Sequence, residues 1–453
     1  MEKDNRANFG SKLGIILATA GSAVGLGNIW RFPYMTGDNG GAAFIFVYIM
    51  CVFLLGIPCI VNEFIIGRYS ASNTARAYRK LSNGTPWAII GYIGVLTGFL
   101  VTSYYSVVSG WCLQYIYASA AGHLKGDPQF FASYFADFEK DPIKPVIWAV
   151  VILVITHLII IRGVKEGIEK ASKALMPALF VILIILVVSA CMLPNAWEGI
   201  EFLFKPDFSK VSKDLFLGAL GQAFFSLSIG MGCLCTFASY FTKDTDLTNS
   251  AVQISVIDTV VAILAGLLIF PAAFSIGVSP DSGPSLIFIT LPNIFNNIPL
   301  GRLWGSLFFV FMSFAALSTV LAVFEEIIAC TVDLFGWGRK KACLINGILL
   351  FVLSLPCCLG FNILSGIQPM GEGSSIMDLE DFIVSNLILP LGSLVIILFC
   401  TSKKGWGWDN YLSEANEGKG LKMQKFMKGY MTYVLPVMVI VLFVIGIVRT
   451  FAK

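Results

Sequence analysis

Long apolar stretches recur along the whole chain and are separated by short polar segments. We count eleven stretches of about 20 residues, the length that crosses the hydrocarbon core of a bilayer as an α-helix. They centre near Leu17, Phe53, Val101, Ile152, Ile182, Phe225, Ala262, Phe311, Leu349, Leu391 and Ile440. In chain order we call them spans 1 to 11; spans 4 and 5 are close enough in sequence that they could merge. The pattern predicts an all-α polytopic membrane protein with eleven transmembrane helices.

Spans 1 and 6 are interrupted in the middle by small and polar residues, GSAVGLGNIWRFP at Gly21–Pro33 and SLSIGMG at Ser226–Gly232. Glycine weakens a helix by about 1 kcal/mol, and backbone groups freed at membrane depth are tolerated where they line a cavity. Interrupted helices at matching places in two groups of five indicate an inverted repeat with a substrate site between them. We therefore predict one five-helix repeat at 1–190, an inverted second repeat at 191–402, and a loop with one extra helix at 403–453.

Composition and charge support the membrane assignment. Hydrophobic residues make up 57% of the 453 positions and charged residues 13%, about half the charged fraction of a soluble domain. With the N-terminus inside, the inner segments hold about two thirds of the 31 Lys and Arg residues. We therefore expect a cytoplasmic N-terminus, with no signal peptide before span 1, and an extracellular C-terminus in the plasma membrane. The net charge of +3 reflects this topology and does not indicate nucleic acid binding.

The sequence disfavours several other functions. The 11 cysteines lie mostly within apolar spans and lack a CxxC spacing, so they are expected to be buried hydrophobic residues. No GxxxxGK[ST] motif for a nucleotide-driven pump occurs, and two isolated histidines offer little to an enzyme. A channel would favour a continuously polar pore, whereas the polar residues here cluster at helix breaks.

Motifs in and around both interrupted spans resemble those of the neurotransmitter:sodium symporter family, whose members share the LeuT fold. The matching segments are GLGNIWRFP, NGG at Asn39–Gly41, GRY at Gly67–Tyr69, YY at Tyr104–Tyr105, GQAFFSLSIGMG and ASY at Ala238–Tyr240. The resemblance implies a sodium-coupled symporter, not an enzyme, that imports hydrophobic and aromatic L-amino acids by alternating access. Its expected partners are this small-molecule substrate, two Na⁺ ions and the lipid bilayer.

The resemblance also implies two sodium sites. The first uses Ala23, Asn28, Ser226 and Asp258 together with the substrate carboxylate, and the second uses Gly21, Val24, Ala315, Ser318 and Thr319. Independently, Ala315, Ser318 and Thr319 share one face of span 8, because residues at i, i+3 and i+4 are neighbours on a helix. The alternative for the two hydroxyls is a hydrogen bond back to the preceding turn.

Asp258 departs from the commoner family pattern, which has Asn at this position. Some relatives bind chloride nearby and others place an acid four residues later, where this chain has Ala262. We interpret Asp258, expected beside Tyr48, Gln222 and Ser226, as a charge that replaces chloride. A solvated loop aspartate is the alternative, but apolar residues flank Asp258 on both sides.

The resemblance implies that N–H groups at the break in span 1 bind the substrate carboxylate, with Tyr105 donating its hydroxyl. Monoamine carriers have Asp where this chain has Gly25, so Gly25 favours α-amino acids. The implied substrate site comprises Ala23, Gly25, Gly27, Val101, Tyr105, Phe225, Ser226, Ser228, Met231, Thr319 and Val323. For any single one of these residues, an ordinary place in the packed core is the alternative.

Charged residues within or beside the spans complete the expected machinery. By resemblance, Arg31 and Asp381 form an outer gate with Phe225 as its lid, and Arg6, Asp333 and Tyr240 form an inner gate. Glu63 resembles an acid that braces both helix breaks. Glu325 and Glu326 lie inside span 8 and receive no assignment from the sequence.

Overall fold

The computed structural model describes residues 9–277, 286–418 and 420–451. The described residues form helices joined by turns, without a β-strand among them. Among these residues, eight helices are long and apolar enough to cross a membrane, and the bent pair Lys12–Ala23 and Gly27–Asp38 is a ninth span. The 17-residue apolar helix Lys144–Ile160, which is bent by 76° from the helix before it, is a tenth. The eleventh predicted span is the interrupted span 6, whose halves are 14 and 6 residues long. The prediction of eleven spans is confirmed, and spans 4 and 5 are separate helices.

The spans have the following bounds: span 1 Lys12–Ala23 and Gly27–Asp38, span 2 Ala42–Ser70, span 3 Pro86–Ala121, span 4 Lys144–Ile160, span 5 Val164–Cys191, span 6 Lys213–Ser226 and Cys233–Ala238, span 7 Leu247–Ser275, span 8 Gly301–Phe335, span 9 Arg339–Leu359, span 10 Ile376–Thr401, and span 11 Met427–Val448. Shorter helices connect them, at Thr74–Leu81, Pro128–Lys140, Ala196–Phe204, Leu291–Asn296 and Trp408–Ala415.

Burial separates a central group of helices from a peripheral one. In the most apolar 18-residue window of span 8, 83% of the residues are buried inside the protein, against 28% in span 11. Span 8 packs along span 3 and against the first half of span 1, while the second half of span 6 packs on span 2. The two interrupted helices therefore meet near the middle of the bundle, beside the most deeply buried span.

Two local features shape the ends of the bundle. Asp127 caps the helix Pro128–Lys140, which turns by 76° into span 4, so this helix lies across the bundle rather than extending span 4. At the other end, Arg68 donates to a Glu414 carboxylate oxygen at 2.7 Å and ties the end of span 2 to the helix Trp408–Ala415. Both side chains of this pair are buried, at 0% and 2% exposure.

Candidate transport site

The break in span 1 is built from glycine and one amide side chain. The helix ends at Ala23, and Val24 adopts φ −70° and ψ 98°. The Gly25 N–H donates to Asn28 Oδ1 at 3.1 Å, so a side chain replaces the lost helical acceptor. A Cβ atom at Gly25 would lie 2.5 Å from Thr319 Oγ1. A side chain at Gly25 therefore fits only if the Thr319 side chain gives way.

The break in span 6 is held by its own backbone conformation and by span 2. Ser228, Gly230 and Gly232 all have positive φ, at +52°, +91° and +92°. A Cβ atom at Gly230 would lie 2.3 Å from the carbonyl oxygen of Leu389, so span 10 leaves no room for one. Glu63 accepts hydrogen bonds from the Gly230 N–H at 2.7 Å and from the Cys235 N–H at 3.3 Å. These two bonds brace the break in span 6; the structure records no corresponding bond to span 1.

A small cavity of about 20 Å³ lies beside the break in span 6 and is lined from spans 3, 6, 8 and 10. Its lining includes seven of the predicted substrate residues, namely Val101, Tyr105, Phe225, Ser228, Met231, Thr319 and Val323. Tyr104, Val384 and Leu389 also line it and were not predicted. Val384 and Leu389 belong to span 10, whose apolar pattern carries no mark of a binding role. Seven of the eleven predicted residues thus surround one nearly filled, uncharged pocket, whereas Ala23, Gly25, Gly27 and Ser226 do not line it.

A larger cavity of about 250 Å³ lies on the other side of Phe225. Tyr104, Tyr105 and Phe225 line both cavities and therefore form the partition between them. The Arg31 guanidinium carbon lies 4.4 Å from the centre of the Phe225 ring, a cation–π contact. Phe225 thus occupies the position expected of a lid.

Arg31 and Asp381 both line this larger cavity, but the ion pairs among the described residues do not include one between them. Arg31 Nη1 is buried without a hydrogen-bond partner, and Asp381 accepts from the Ser385 hydroxyl at 3.0 Å. In this conformation the predicted outer pair is apart.

Asp258 is the centre of a buried polar cluster. Its carboxylate accepts from Asn28 Nδ2 at 2.7 Å, from the Ser226 hydroxyl at 2.7 Å and from the Tyr48 hydroxyl at 3.2 Å. Asn28, Tyr48 and Asp258 are each 0% exposed. Gln222 instead donates to the carbonyl oxygen of Gly27 at 3.0 Å. Three of the four residues predicted for the first sodium site are thus hydrogen-bonded together, and the fourth, Ala23, ends the helix beside them.

A second oxygen cluster joins span 1 to span 8. The Ser318 hydroxyl donates to the carbonyl oxygen of Ala315 at 2.8 Å and lies 3.3 Å from that of Val24. The Thr319 hydroxyl lies 3.3 Å from the same Ala315 oxygen, and a Cβ atom at Gly21 would lie 3.3 Å from the Ser318 Cβ. Both hydroxyls bond back to the preceding turn of their own helix, which is the alternative raised from the sequence; their oxygen atoms keep lone pairs for a cation. All five residues predicted for the second sodium site meet here.

Of the predicted inner gate, Arg6 lies outside the described residues. The Asp333 carboxylate accepts from the Asn73 backbone N–H at 2.9 Å and from its side-chain amide at 2.7 Å. The Tyr240 hydroxyl donates to Glu325 Oε1 at 2.8 Å. The Phe9 ring packs edge-on against the Tyr240 ring, with centroids 5.9 Å apart. The start of the described chain is therefore anchored beside Tyr240.

Glu325, which the sequence left unassigned, has a defined set of partners. Arg339 donates to both of its carboxylate oxygens, at 3.1 and 2.5 Å. With the hydroxyl of Tyr240, these bonds join span 6, span 8 and span 9. Sequence reasoning missed the pair because nothing in a linear pattern says which basic residue reaches a buried acid.

Two interrupted helices that meet at the centre of a helical bundle, beside an uncharged pocket and two oxygen clusters, define a secondary transporter. The sequence profile of the Sodium:neurotransmitter symporter family matches residues 6–128 and 129–453. The chain belongs to this family of sodium-dependent symporters, so it is a transporter rather than an enzyme.

Individual relatives agree over nearly the whole chain. The sodium-dependent transporter YhdH of Bacillus subtilis is 38% identical over 98% of both chains. A sodium-dependent transporter of Haemophilus influenzae is 34% identical over 97% of this chain and 98% of its own. The crystal structure of MhsT in complex with L-phenylalanine is similar at 41% identity, with a TM-score of 0.88 over 97% of this chain and 100% of that chain. The predicted LeuT fold is confirmed by this likeness.

Proposed function

We propose that this protein imports hydrophobic and aromatic L-amino acids together with two Na⁺ ions and without chloride. We further propose that it does so across the plasma membrane, with the N-terminus in the cytoplasm and the C-terminus outside. The observation that carries the proposal is the uncharged pocket beside the break in span 6. The likeness to MhsT, crystallised with L-phenylalanine, supports the same substrate class.

The pocket's composition favours an apolar side chain. Its lining consists of aliphatic, aromatic, thioether and hydroxyl groups, and it contains no ionisable carboxylate, ammonium or guanidinium. A charged substrate side chain would be desolvated there without a partner, whereas an apolar one gains from burial. Ser228 and Thr319 supply hydroxyls that could pair with the phenol of tyrosine. Met231 is flexible and can yield to ligands of different size.

The break in span 1 favours a substrate that brings its own carboxylate. Gly25 carries no side chain, so the protein supplies no carboxylate at this position, and a Cβ atom here would already press on the Thr319 hydroxyl. The amide groups at the start of the second half of span 1 form a positive helix end, which attracts an anion. The two oxygen clusters offer hydroxyl, carbonyl, amide and carboxylate oxygens, the ligands that hard cations prefer. Asp258 supplies a negative charge beside the first cluster, which removes the need for chloride.

Two sodium ions would provide a large driving force. Moving two charges through 100 mV is worth about 4.6 kcal/mol. At about 1.4 kcal/mol per decade, this supports roughly a thousandfold accumulation of a neutral amino acid.

The test is uptake into proteoliposomes under an imposed sodium gradient and membrane potential. We expect strict sodium dependence with a Hill slope above one, uptake that follows the potential, and no loss when gluconate replaces chloride. L-tryptophan should compete strongly, while tryptamine, which lacks the carboxylate, and L-lysine should not. A Hill slope of one with uptake insensitive to potential would refute the stoichiometry. Strong competition by tryptamine or L-lysine would refute the proposed mode of binding.

A further inference from the structure

Glu326 is a buried carboxyl group that the transport site described above does not use. It is 0% exposed, and neither of its carboxyl oxygens has a hydrogen-bond partner among the described residues. It follows Val323 of the pocket by three residues and precedes Asp333 by seven, about 10 Å along the helix. Glu326 therefore lies between the substrate pocket and the end of the bundle that carries Asp333.

Small residues make the space for this carboxyl group. A Cβ atom at Gly98 of span 3 would lie 3.5 Å from Glu326 Oε2, and one at Gly232 would lie 2.9 Å from Oε1. The same Cβ atom at Gly232 would lie 2.5 Å from the Thr74 hydroxyl oxygen, which is also buried without a hydrogen-bond partner among the described residues. The carboxyl group is thus directed at the break in span 6, in the company of a second unpaired polar atom.

Within the part of the chain that the structure describes, the ionisable neighbours of Glu326 are all acids. They are Glu63 from span 2, Cys233 from span 6 and Cys330 on its own helix. Span 3 and the helix Thr74–Leu81 present Gly98 and the Thr74 hydroxyl, neither of which is ionisable. None of the ion pairs formed within the described residues involves Glu326. The neighbouring Glu325, in contrast, is paired with Arg339.

An ionised Glu326 would be unfavourable in this setting. Within the described residues its charge would have no donor and no cation, and it would lie near Glu63, a second buried carboxyl group that already accepts two backbone N–H groups. A buried carboxyl group in these conditions keeps its proton. A neutral carboxylic acid is less costly in the site, because it leaves an O–H and a carbonyl oxygen without partners but buries no net charge.

We propose that Glu326 is a proton-binding site that is occupied while the break in span 6 is closed over it. When the second half of span 6 moves away, water reaches the carboxyl group, its O–H bond breaks and the proton passes to that water. Closure requires the reverse transfer. Because Glu326 lies on the Asp333 side of the pocket, which the proposed topology places towards the cytoplasm, the proton exchanges with the cytoplasm. This coupling to inner opening rests on the proposed alternating access; the presence of the proton does not.

The first experiment detects the proton directly. Infrared spectra of the purified protein at neutral pH should contain the carbonyl stretch of a buried protonated carboxyl group, and Glu326→Gln should remove it. Glu325→Gln is the matched control, since it removes an adjacent carboxyl group that is paired with Arg339 and should leave the band intact. An unchanged band in Glu326→Gln would overturn the proposal, whatever the protein transports.

The second experiment tests the coupling. At fixed external pH, the wild-type uptake rate should change with internal pH, by at most about tenfold per pH unit for one proton. Glu326→Gln, which mimics the protonated form, should make this profile flat. A wild-type profile in Glu326→Gln would refute the coupling. Glu326→Met, an apolar variant of similar length, is the control for misfolding. It should unfold at the wild-type temperature or at a higher one. Marked destabilisation would show that the charged form is needed and would overturn the proposal.

Discussion

The replacement Asp258→Asn tests the chloride assignment, because it removes one charge while nearly keeping the shape of the side chain. A sodium ion about 4 Å from a unit negative charge gains about 4 kcal/mol at an effective dielectric constant of 20. We therefore expect sodium affinity to fall by up to roughly a thousandfold in the absence of chloride. Added chloride should restore part of the loss, because the anion supplies the missing charge.

The hydrogen bonds of Asp258 allow the effect of charge to be separated from the effect of geometry. Tyr48→Phe removes the donor that lies 3.2 Å from the Asp258 carboxylate, but it leaves the charge in place. A net hydrogen bond is worth about 1 kcal/mol, so sodium affinity should fall by only about fivefold and should not respond to chloride. The two variants thus differ in the size of the loss and in its chloride dependence.

The assay is sodium-dependent binding of a radiolabelled amino acid to purified protein, titrated with sodium gluconate and with sodium chloride. Thermal unfolding of each variant checks that the buried cluster still folds. Wild-type sodium affinity in Asp258→Asn without chloride would refute the reasoning, because the carboxylate would then contribute no charge to the site. An equal chloride response in Tyr48→Phe would refute it as well.

The remaining predictions concern other parts of the molecule. Removing the hydroxyls of Ser318 and Thr319 together by alanine substitution should weaken sodium affinity more than it changes substrate selectivity; an unchanged sodium titration would show that the pair is only packed. Met231→Phe should penalise binding of L-tryptophan by about 1–3 kcal/mol relative to L-leucine, because it overfills the pocket; equal losses in competition binding would contradict this. Arg68→Met should destabilise the protein by about 3–5 kcal/mol, since it leaves the Glu414 charge buried with less compensation; an unchanged unfolding temperature would show that the pair contributes little.

The sequence alone was sufficient for the features that depend on local pattern. Span length follows from the thickness of the bilayer, so the eleven apolar stretches predicted the helices. The breaks in spans 1 and 6 were predictable because glycine and polar residues weaken a helix wherever they fall. The shared face of Ala315, Ser318 and Thr319 follows from the helical period alone. The division at residues 190 and 402 stays a prediction, as do the roles of the site residues.

Tertiary structure decided which distant side chains meet. Asp258 and Asn28 are 230 residues apart in sequence, yet they share a hydrogen bond of 2.7 Å. The linear pattern did not show that span 10 lines the pocket, that Arg339 pairs with Glu325, or that Glu326 has no partner. These outcomes depend on the way in which the long helices pack against one another. The local propensity of a single residue carries no information about that packing. A buried charged residue illustrates the difference. The sequence shows that such a residue needs a partner, but only the packed bundle determines whether that partner is a cation, a backbone N–H or a proton.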